Sequence, residues 1–158
     1  MKKYNKVLSL TSGKLNLDEL IEQSIYVEKF IKMNAYILDV GSGNGIVGIP
    51  LKIVRDDLKV FLLERSMKKC AFLEIVILSL NLKDIFVING DYRNLDIDQS
   101  FDYILARAVG NYGVLIRNLE KFLKENGKFI LFTDFYTENY KIQKENYKNL
   151  KITILYRG

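Results

Sequence analysis

Apolar residues Leu17, Leu20, Ile21, Ile25 and either Val27 or Ile31 recur at helical spacing, which predicts an amphipathic helix over residues 17–33. Residues 36–40 form a short β-prone run that ends at Gly41, predicting a buried strand entering a glycine loop. The same alternation continues down the chain. A helix is predicted over 46–54, a strand over 59–64 and a long apolar-periodic helix over 67–80, where Cys70, Phe72, Leu73, Val76, Ile77 and Leu80 are available to face a sheet. A third strand over 84–89 leads into a polar connection over 90–100. A fourth strand (101–106), a helix (112–124) and a fifth strand (128–133) after the turn at Glu125, Asn126 and Gly127 come next. The last elements expected are a helix over 137–147 and a strand over 150–156. Strands alternating with helices through short loops predict an α/β, doubly wound, mostly parallel sheet, with its ligand site at the carboxyl ends of the first strands.

No Gly/Ser/Pro-rich linker or internal repeat divides the 158 residues, so the expectation is one domain over 1–158 with an N-terminal helical extension over about 1–34. A hydrophobic fraction of 49% is enough to bury a core. The single cysteine permits no internal disulfide and no Cys cluster for a metal. The absence of histidine removes His-based zinc sites and Ser-His or Cys-His catalysis, so no metal is expected. Met1, Lys2, Lys3 and Tyr4 open a polar segment unlike a secretory signal, and the apolar run over 75–78 is far too short to span a bilayer. A cytoplasmic protein with no membrane contact is expected. The net charge of +5 permits a polyanionic partner without demanding one.

The candidate chemistry begins where the first strand ends. Gly41, Gly43, Gly45 and Gly48 follow Asp39 closely, and glycine suits both a sharp strand-to-helix turn and backbone that must approach a ligand. A tight turn packed for structural reasons uses the same residues. Asp39 stands at the strand end, where an unpaired carboxylate is costly. Glu64 ends the second strand, 23 residues after Gly41, where an acid accepts hydrogen bonds from ribose hydroxyls. Dinucleotide enzymes normally add a substrate domain for which this chain is too short. An acid before the glycines suits a cofactor with an amino-acid end and no pyrophosphate, which describes S-adenosyl-L-methionine. The loop, with Ser42 at its tip, would meet the methionine part and Glu64 the ribose.

The stretches ILDVGSGNGIVGIPL over 37–51, MKKCAFL over 67–73 and ARAV over 106–109 resemble the RsmG (GidB) family, with the spacing between motifs kept. The resemblance runs from about residue 5 to residue 132. It implies a Rossmann-like class I S-adenosylmethionine-dependent methyltransferase acting on guanine N7 of bacterial 16S ribosomal RNA, with the 30S subunit as partner and a monomer expected. Carried over by motif, cofactor contacts fall on Gly41 and Ile46, on Tyr92 and Arg93 after the third strand, and on Arg107 after the fourth. Arg107 is the expected catalytic residue, since a guanidinium there suits the methionine carboxylate or RNA acceptors. An arginine pairing with Asp102 is the structural alternative. The chain departs from the family's pattern at QSIYV over 23–27, where the family carries a His followed by Asp-Ser-Leu, and at Gly90-Asp91 and Thr133-Asp134.

Methyl transfer from a sulfonium is an in-line displacement, and guanine N7 offers a lone pair with no proton to lose, so no general base is needed. Methylation at a pyrimidine carbon uses a cysteine nucleophile, and Cys70 reads instead as a core residue. Lys68 and Lys69 open a helix beside the expected site and are candidates for RNA phosphate contacts, or an ordinary solvated helix start. Asn111 and Tyr112 are candidates to border a flipped guanine. A methyltransferase for a small molecule or protein, and a catalytically weakened cofactor- or RNA-binding module, remain the alternatives.

Overall fold

The computed structural model describes residues 16–157. The part of the expected N-terminal extension before residue 16 therefore lies outside the described residues. Helix α1 (Leu17–Tyr26) is followed by a 3-10 turn (Val27–Phe30), strand β1 (Tyr36–Val40), helix α2 (Gly48–Val54) and strand β2 (Lys59–Glu64). Helix α3 (Met67–Ser79), strands β3 (Ile85–Asn89) and β4 (Phe101–Ala106) and helix α4 (Tyr112–Leu119) come next. The chain then runs through a 3-10 turn (Glu120–Phe122) into β5 (Leu123–Leu131), β6 (Lys141–Tyr147) and β7 (Leu150–Tyr156). Among the described residues the sheet has seven strands in the order β3-β2-β1-β4-β5-β7-β6. The first five are parallel, and β7 and β6 are antiparallel additions beside β5. The doubly wound, mostly parallel α/β sheet expected from the alternation is the observed one.

Successive residues along each strand feed opposite faces, and the core divides accordingly. Ile37 of β1, Leu62 of β2, Leu105 of β4 and Ile154 of β7 pack with Ile21 of α1, Ile49 of α2 and Leu73 of α3. Leu38, Leu63, Ile104 and Leu155 pack on the other face with Leu115 and Leu119 of α4. In α3 the residues Cys70, Leu73 and Val76 are buried, which is the inward face expected from their spacing.

The local ends of the helices follow their caps. The Asn16 side chain accepts the Asp18 N–H at 3.1 Å, and Asp18 and Glu19 sit in the first turn of α1, where the helix dipole favours acids. The Ser66 hydroxyl accepts the Lys69 N–H at the start of α3. Near the far end of the sheet Asp102 is 5% exposed and accepts from the Tyr36 N–H at 2.8 Å, from Lys32 at 2.6 Å and from Lys124 at 2.9 Å. Burial alone would raise its pKa, but these partners outweigh it and hold the carboxyl below its ordinary range.

Three expectations are corrected. The helix predicted over 137–147 is not formed: residues 137–140 are loop and turn, and Lys141–Tyr147 is strand β6, paired along its whole length with β7 through a two-residue turn at Lys148 and Asn149. Ile152 and Ile154 make β7 an internal strand, which leaves its polar, charge-bearing neighbour β6 as the sheet edge, where Lys and Glu are tolerated and discourage further pairing. The helix predicted over 17–33 tightens into 3-10 geometry after Tyr26. The helix predicted over 112–124 stops at Leu119, and β5 starts at Leu123, earlier than expected, with an irregular register against β4 absorbing the turn residues.

Candidate functional site

β1 delivers Asp39 and Val40 to the ligand edge of the sheet, and the chain then reverses through glycines. The loop is tied to β2, because the N–H groups of Gly41 and Ser42 both donate to the Leu63 carbonyl, at 2.9 and 3.0 Å. The Ser42 hydroxyl donates to the Asp39 carbonyl at 2.8 Å. Glu64, 6% exposed, accepts the Gly43 N–H through Oε2 and the Ser66 N–H through Oε1, each at 2.9 Å. A single carboxylate thus joins the loop to the start of α3. Beneath the loop Asp39 is 1% exposed and accepts the Gly48 N–H at 3.0 Å. Burial pushes its carboxyl up to about 6, against the pull of that hydrogen bond.

The glycines divide into two roles. Gly43 has φ +55, and a Cβ built there meets nothing nearer than the Gly41 carbonyl at 3.8 Å, so its bare face looks into open space. Gly45 has φ +77, and a Cβ there falls 2.4 Å from Ile49 Cδ1 and 2.9 Å from Leu73 Cδ2. Gly48 is equally confined, with Leu62 Cδ2 at 2.4 Å. Gly43 leaves room for a ligand, whereas Gly45 and Gly48 let α2 and α3 approach the sheet.

Two cavities meet at this loop. The larger, of about 630 Å³, is lined by Asp39, Gly41, Ser42, Gly43, Ile46 and Arg107. The smaller, of about 430 Å³, is lined by Glu64, Tyr92, Arg93 and Val109. Gly41, Lys69 and Ala108 border both, and Ala108 is held at φ +52, a strained position for a residue with a Cβ. The structure therefore gathers most of the expected site residues around one loop. Gly45 and Lys68 border neither cavity: the first is buried in the packing and the second is exposed on α3. Asn111 caps α4 by accepting the Val114 N–H at 3.0 Å, and neither it nor Tyr112 lines a cavity. The Cys70 thiol is buried, donates to the Glu64 carbonyl at 3.3 Å and is pushed up by burial, in keeping with a core residue.

Arg107 does not pair with Asp102, which belongs to the lysine network near the start of β4. It turns instead to α1, where Nη2 donates to Gln23 Oε1 at 2.6 Å and Nη1 donates to the Leu20 carbonyl at 3.3 Å and Ser24 Oγ at 3.5 Å. Its guanidinium also lies 5.6 Å from the Phe132 ring centroid. Arg93 pairs with Asp91 and holds that carboxyl down at about 2.

Sequence reading missed the residues that close the larger cavity from the side: Glu19, Leu20 and Gln23 of α1, and Asn149 and Leu150 at the β6–β7 turn. The signal for α1 was present, since Gln23 and Ser24 are polar residues on the face that carries Leu20 and Ile21 inward. The hairpin left none once its first strand was read as a helix. These two elements also meet each other, through the Tyr26–Tyr147 stack at 4.2 Å and the Glu22–Lys148 ion pair. Among the described residues no three His, Cys, Asp or Glu side chains group as metal ligands, and no helix is long and apolar enough to cross a membrane.

Comparison with known proteins places this arrangement. A crystal structure of an S-adenosylmethionine-dependent methyltransferase from Aquifex aeolicus superposes with a TM-score of 0.74 at 14% identity, covering 97% of this chain and 97% of that one, and shares the fold. The Ribosomal RNA small subunit methyltransferase G of Oenococcus oeni is 34% identical over 147 residues, which is 86% of this chain and 60% of that protein. The protein of the same name from Clostridium kluyveri is 33% identical over 144 residues, 81% of this chain and 61% of that protein. The chain spans about three fifths of the length of these curated relatives. The family model described as GidB, rRNA small subunit methyltransferase G, matches residues 1–155. On that match, and on relatives above 30% identity along most of its length, the chain belongs to the GidB family, rRNA small subunit methyltransferase G.

Proposed function

We propose that the chain is an S-adenosyl-L-methionine-dependent methyltransferase that transfers a methyl group to guanine N7 in 16S rRNA of the small ribosomal subunit, a substrate that places it in the cytoplasm. It acts as one methyltransferase domain with α1 as its N-terminal extension. The observation that carries the reading is the pair of cavities sharing Gly41 and Ala108, with the half-buried Arg107 in one and the buried Glu64 in the other.

The residues present fit the cofactor. Gly43 leaves uncovered the space that any side chain would enter. Arg107 has only neutral hydrogen-bond partners among the described residues, so its charge is available to a carboxylate. Each Glu64 oxygen takes one backbone N–H and keeps acceptor capacity for ribose hydroxyls. Bound there, the cofactor supplies an electrophilic methyl on a sulfonium. Arg107 and the loop would hold its amino-acid end, Glu64 its ribose, and Tyr92 and Arg93 the far end of the smaller cavity. N7 as acceptor asks nothing of these acids, because its lone pair carries no proton to be removed, and Asp39 and Glu64 serve the loop by accepting from Gly48, Gly43 and Ser66. Lys69 lies beside both cavities, and Lys68 and Lys69 occupy the first turn of α3, which contains no acidic residue of its own and where the helix dipole disfavours cations. An RNA phosphate between them offsets that cost.

The test is tritiated methyl transfer onto 30S subunits lacking the modification, followed by nucleoside analysis. Label in 7-methylguanosine is the expected result. Label in another nucleoside refutes N7. Transfer to a small molecule or protein instead of the subunit refutes the rRNA assignment, and cofactor binding without transfer to any acceptor identifies a weakened binding module.

A further inference from the structure

Glu19, Gln23 and Arg107 form a continuous chain along one wall of the larger cavity. Gln23 is 6% exposed. Its Oε1 accepts from Arg107 Nη2 at 2.6 Å, and its Nε2 donates to Glu19 Oε1 at 3.4 Å. Arginine has only donors and an ionised carboxylate only acceptors, so the amide can face its two neighbours in one orientation alone. Gln23 therefore links a cation and an anion on the same wall through a neutral amide, with Lys148, paired to Glu22, within electrostatic reach of Glu19. A glutamate at this place would have neutralised the arginine. The Leu20 carbonyl and Ser24 hydroxyl, which complete the hold on Arg107, are neutral as well. A half-buried guanidinium hydrogen-bonded only to neutral groups is costly, and burial pulls its pKa down accordingly. An anion entering the cavity relieves that cost.

An α-amino acid carries a carboxylate and an ammonium on one carbon, which is the complementary pair. We infer that Gln23 is a positioning residue that holds Arg107 and Glu19 as a matched pair for the zwitterionic amino-acid end of the cofactor, Arg107 receiving the carboxylate and Glu19 the ammonium. This rests on the cofactor reading above. It makes α1 a reader of the cofactor's methionine end, and it gives a purpose to a buried glutamine in a helix that departs from the family's pattern.

The test compares two ligands that share adenosine and sulfur: S-adenosylhomocysteine, which has the amino-acid end, and 5′-methylthioadenosine, which lacks it. Dissociation constants are measured by calorimetry on the whole chain and on Gln23→Ala, Gln23→Glu and Glu19→Gln. Gln23→Glu keeps an acceptor for Arg107 and cancels its charge, although it sets a second carboxylate oxygen against Glu19, so a cooperative unfolding transition is the check that the fold is kept. The expected result is a loss of about tenfold or more in S-adenosylhomocysteine affinity for all three variants, the scale of one charge-assisted hydrogen bond. Affinity for 5′-methylthioadenosine should stay within about twofold of the unaltered chain. Equal loss for both ligands in the Gln23 variants, or no loss of S-adenosylhomocysteine, overturns the positioning role while leaving the cofactor reading intact. Unchanged S-adenosylhomocysteine affinity in Glu19→Gln overturns the ammonium assignment. If the unaltered chain binds neither ligand, the cofactor reading fails first and this inference with it.

Discussion

Replacing Asp39 by Asn separates the cost of a buried charge from the hydrogen bond it serves. The amide oxygen still accepts from the Gly48 N–H, but the group no longer ionises. Burial raises the Asp39 pKa from 3.8 to about 6. A shift of ~2 pH units amounts to roughly 3 kcal/mol at about 1.36 kcal/mol per unit. The folded value lies above the unfolded one, so folding favours the protonated acid. The wild type has this contribution in full below about pH 3.8 and loses it as the pH rises through about 6, after which the fold carries a buried charge. Urea unfolding of both proteins at intervals from about pH 3.5 to 8 should show the difference in free energy swinging toward the variant by roughly 3 kcal/mol, with most of the change between about pH 4 and 6. Other titrating groups are common to both chains and cancel to first order. A difference that stays flat across the window would refute the buried-charge reading, and a swing toward the wild type would mean that the carboxylate is held by a stabilising partner.

The two glycine roles separate by assay. Gly43→Ala should abolish the thermal shift produced by S-adenosylhomocysteine, for about 1–2 kcal/mol of lost stability from the positive φ. Gly45→Ala should lose a further ~1–3 kcal/mol to crowding against Ile49 and Leu73, seen as a lower melting temperature without ligand. Arg107→Ala should leave a cooperative unfolding transition but depress methyl transfer to 30S subunits strongly. Arg107→Lys should recover only part of that activity, because three acceptors on α1 are arranged for a guanidinium fork. Lys69→Ala should raise the apparent KM for 30S subunits and lower its salt slope by about 0.7–0.9, with a smaller effect from Lys68→Ala, whose side chain borders neither cavity.

The parts of this molecule that could be read from sequence are those with short-range physical causes. The parallel core announced itself because β1, β2 and β4 are near-continuous apolar runs separated by helical periods. The glycine loop and Glu64 were legible because a strand that ends in glycines, followed by a second strand that ends in an acid, is a local pattern. Residues 141–147 misled because KIQKENY is rich in residues that suit helices, and its strand state depends on the apolar neighbour β7 lying beside β5. The true neighbours of Arg107 were hidden for a related reason. Asp102 is near in sequence but lies toward the opposite end of a strand, whereas Gln23 comes from a helix whose docking only the tertiary fold decides. Gly45 belonged to a motif read as one unit, although only the position of its missing Cβ separates packing from ligand contact.

The closure of α1 against the β6–β7 turn has a consequence for how the protein matures. The Glu22–Lys148 ion pair joins residues 126 positions apart, and Tyr26–Tyr147 stacks beside it. Contacts of such separation form late, because the entropy of closing the loop must be met before they return any energy. The parallel strands and the glycine loop can therefore assemble while the amino-acid end of the cavity still lacks its side wall. A ligand that grips this wall binds only chains that have completed the closure, so it draws the folding equilibrium toward them in proportion to its occupancy. Hydrogen exchange at the β6–β7 turn, far from the glycine loop in sequence, should slow when S-adenosylhomocysteine is added, making cofactor occupancy a report on the last step of folding.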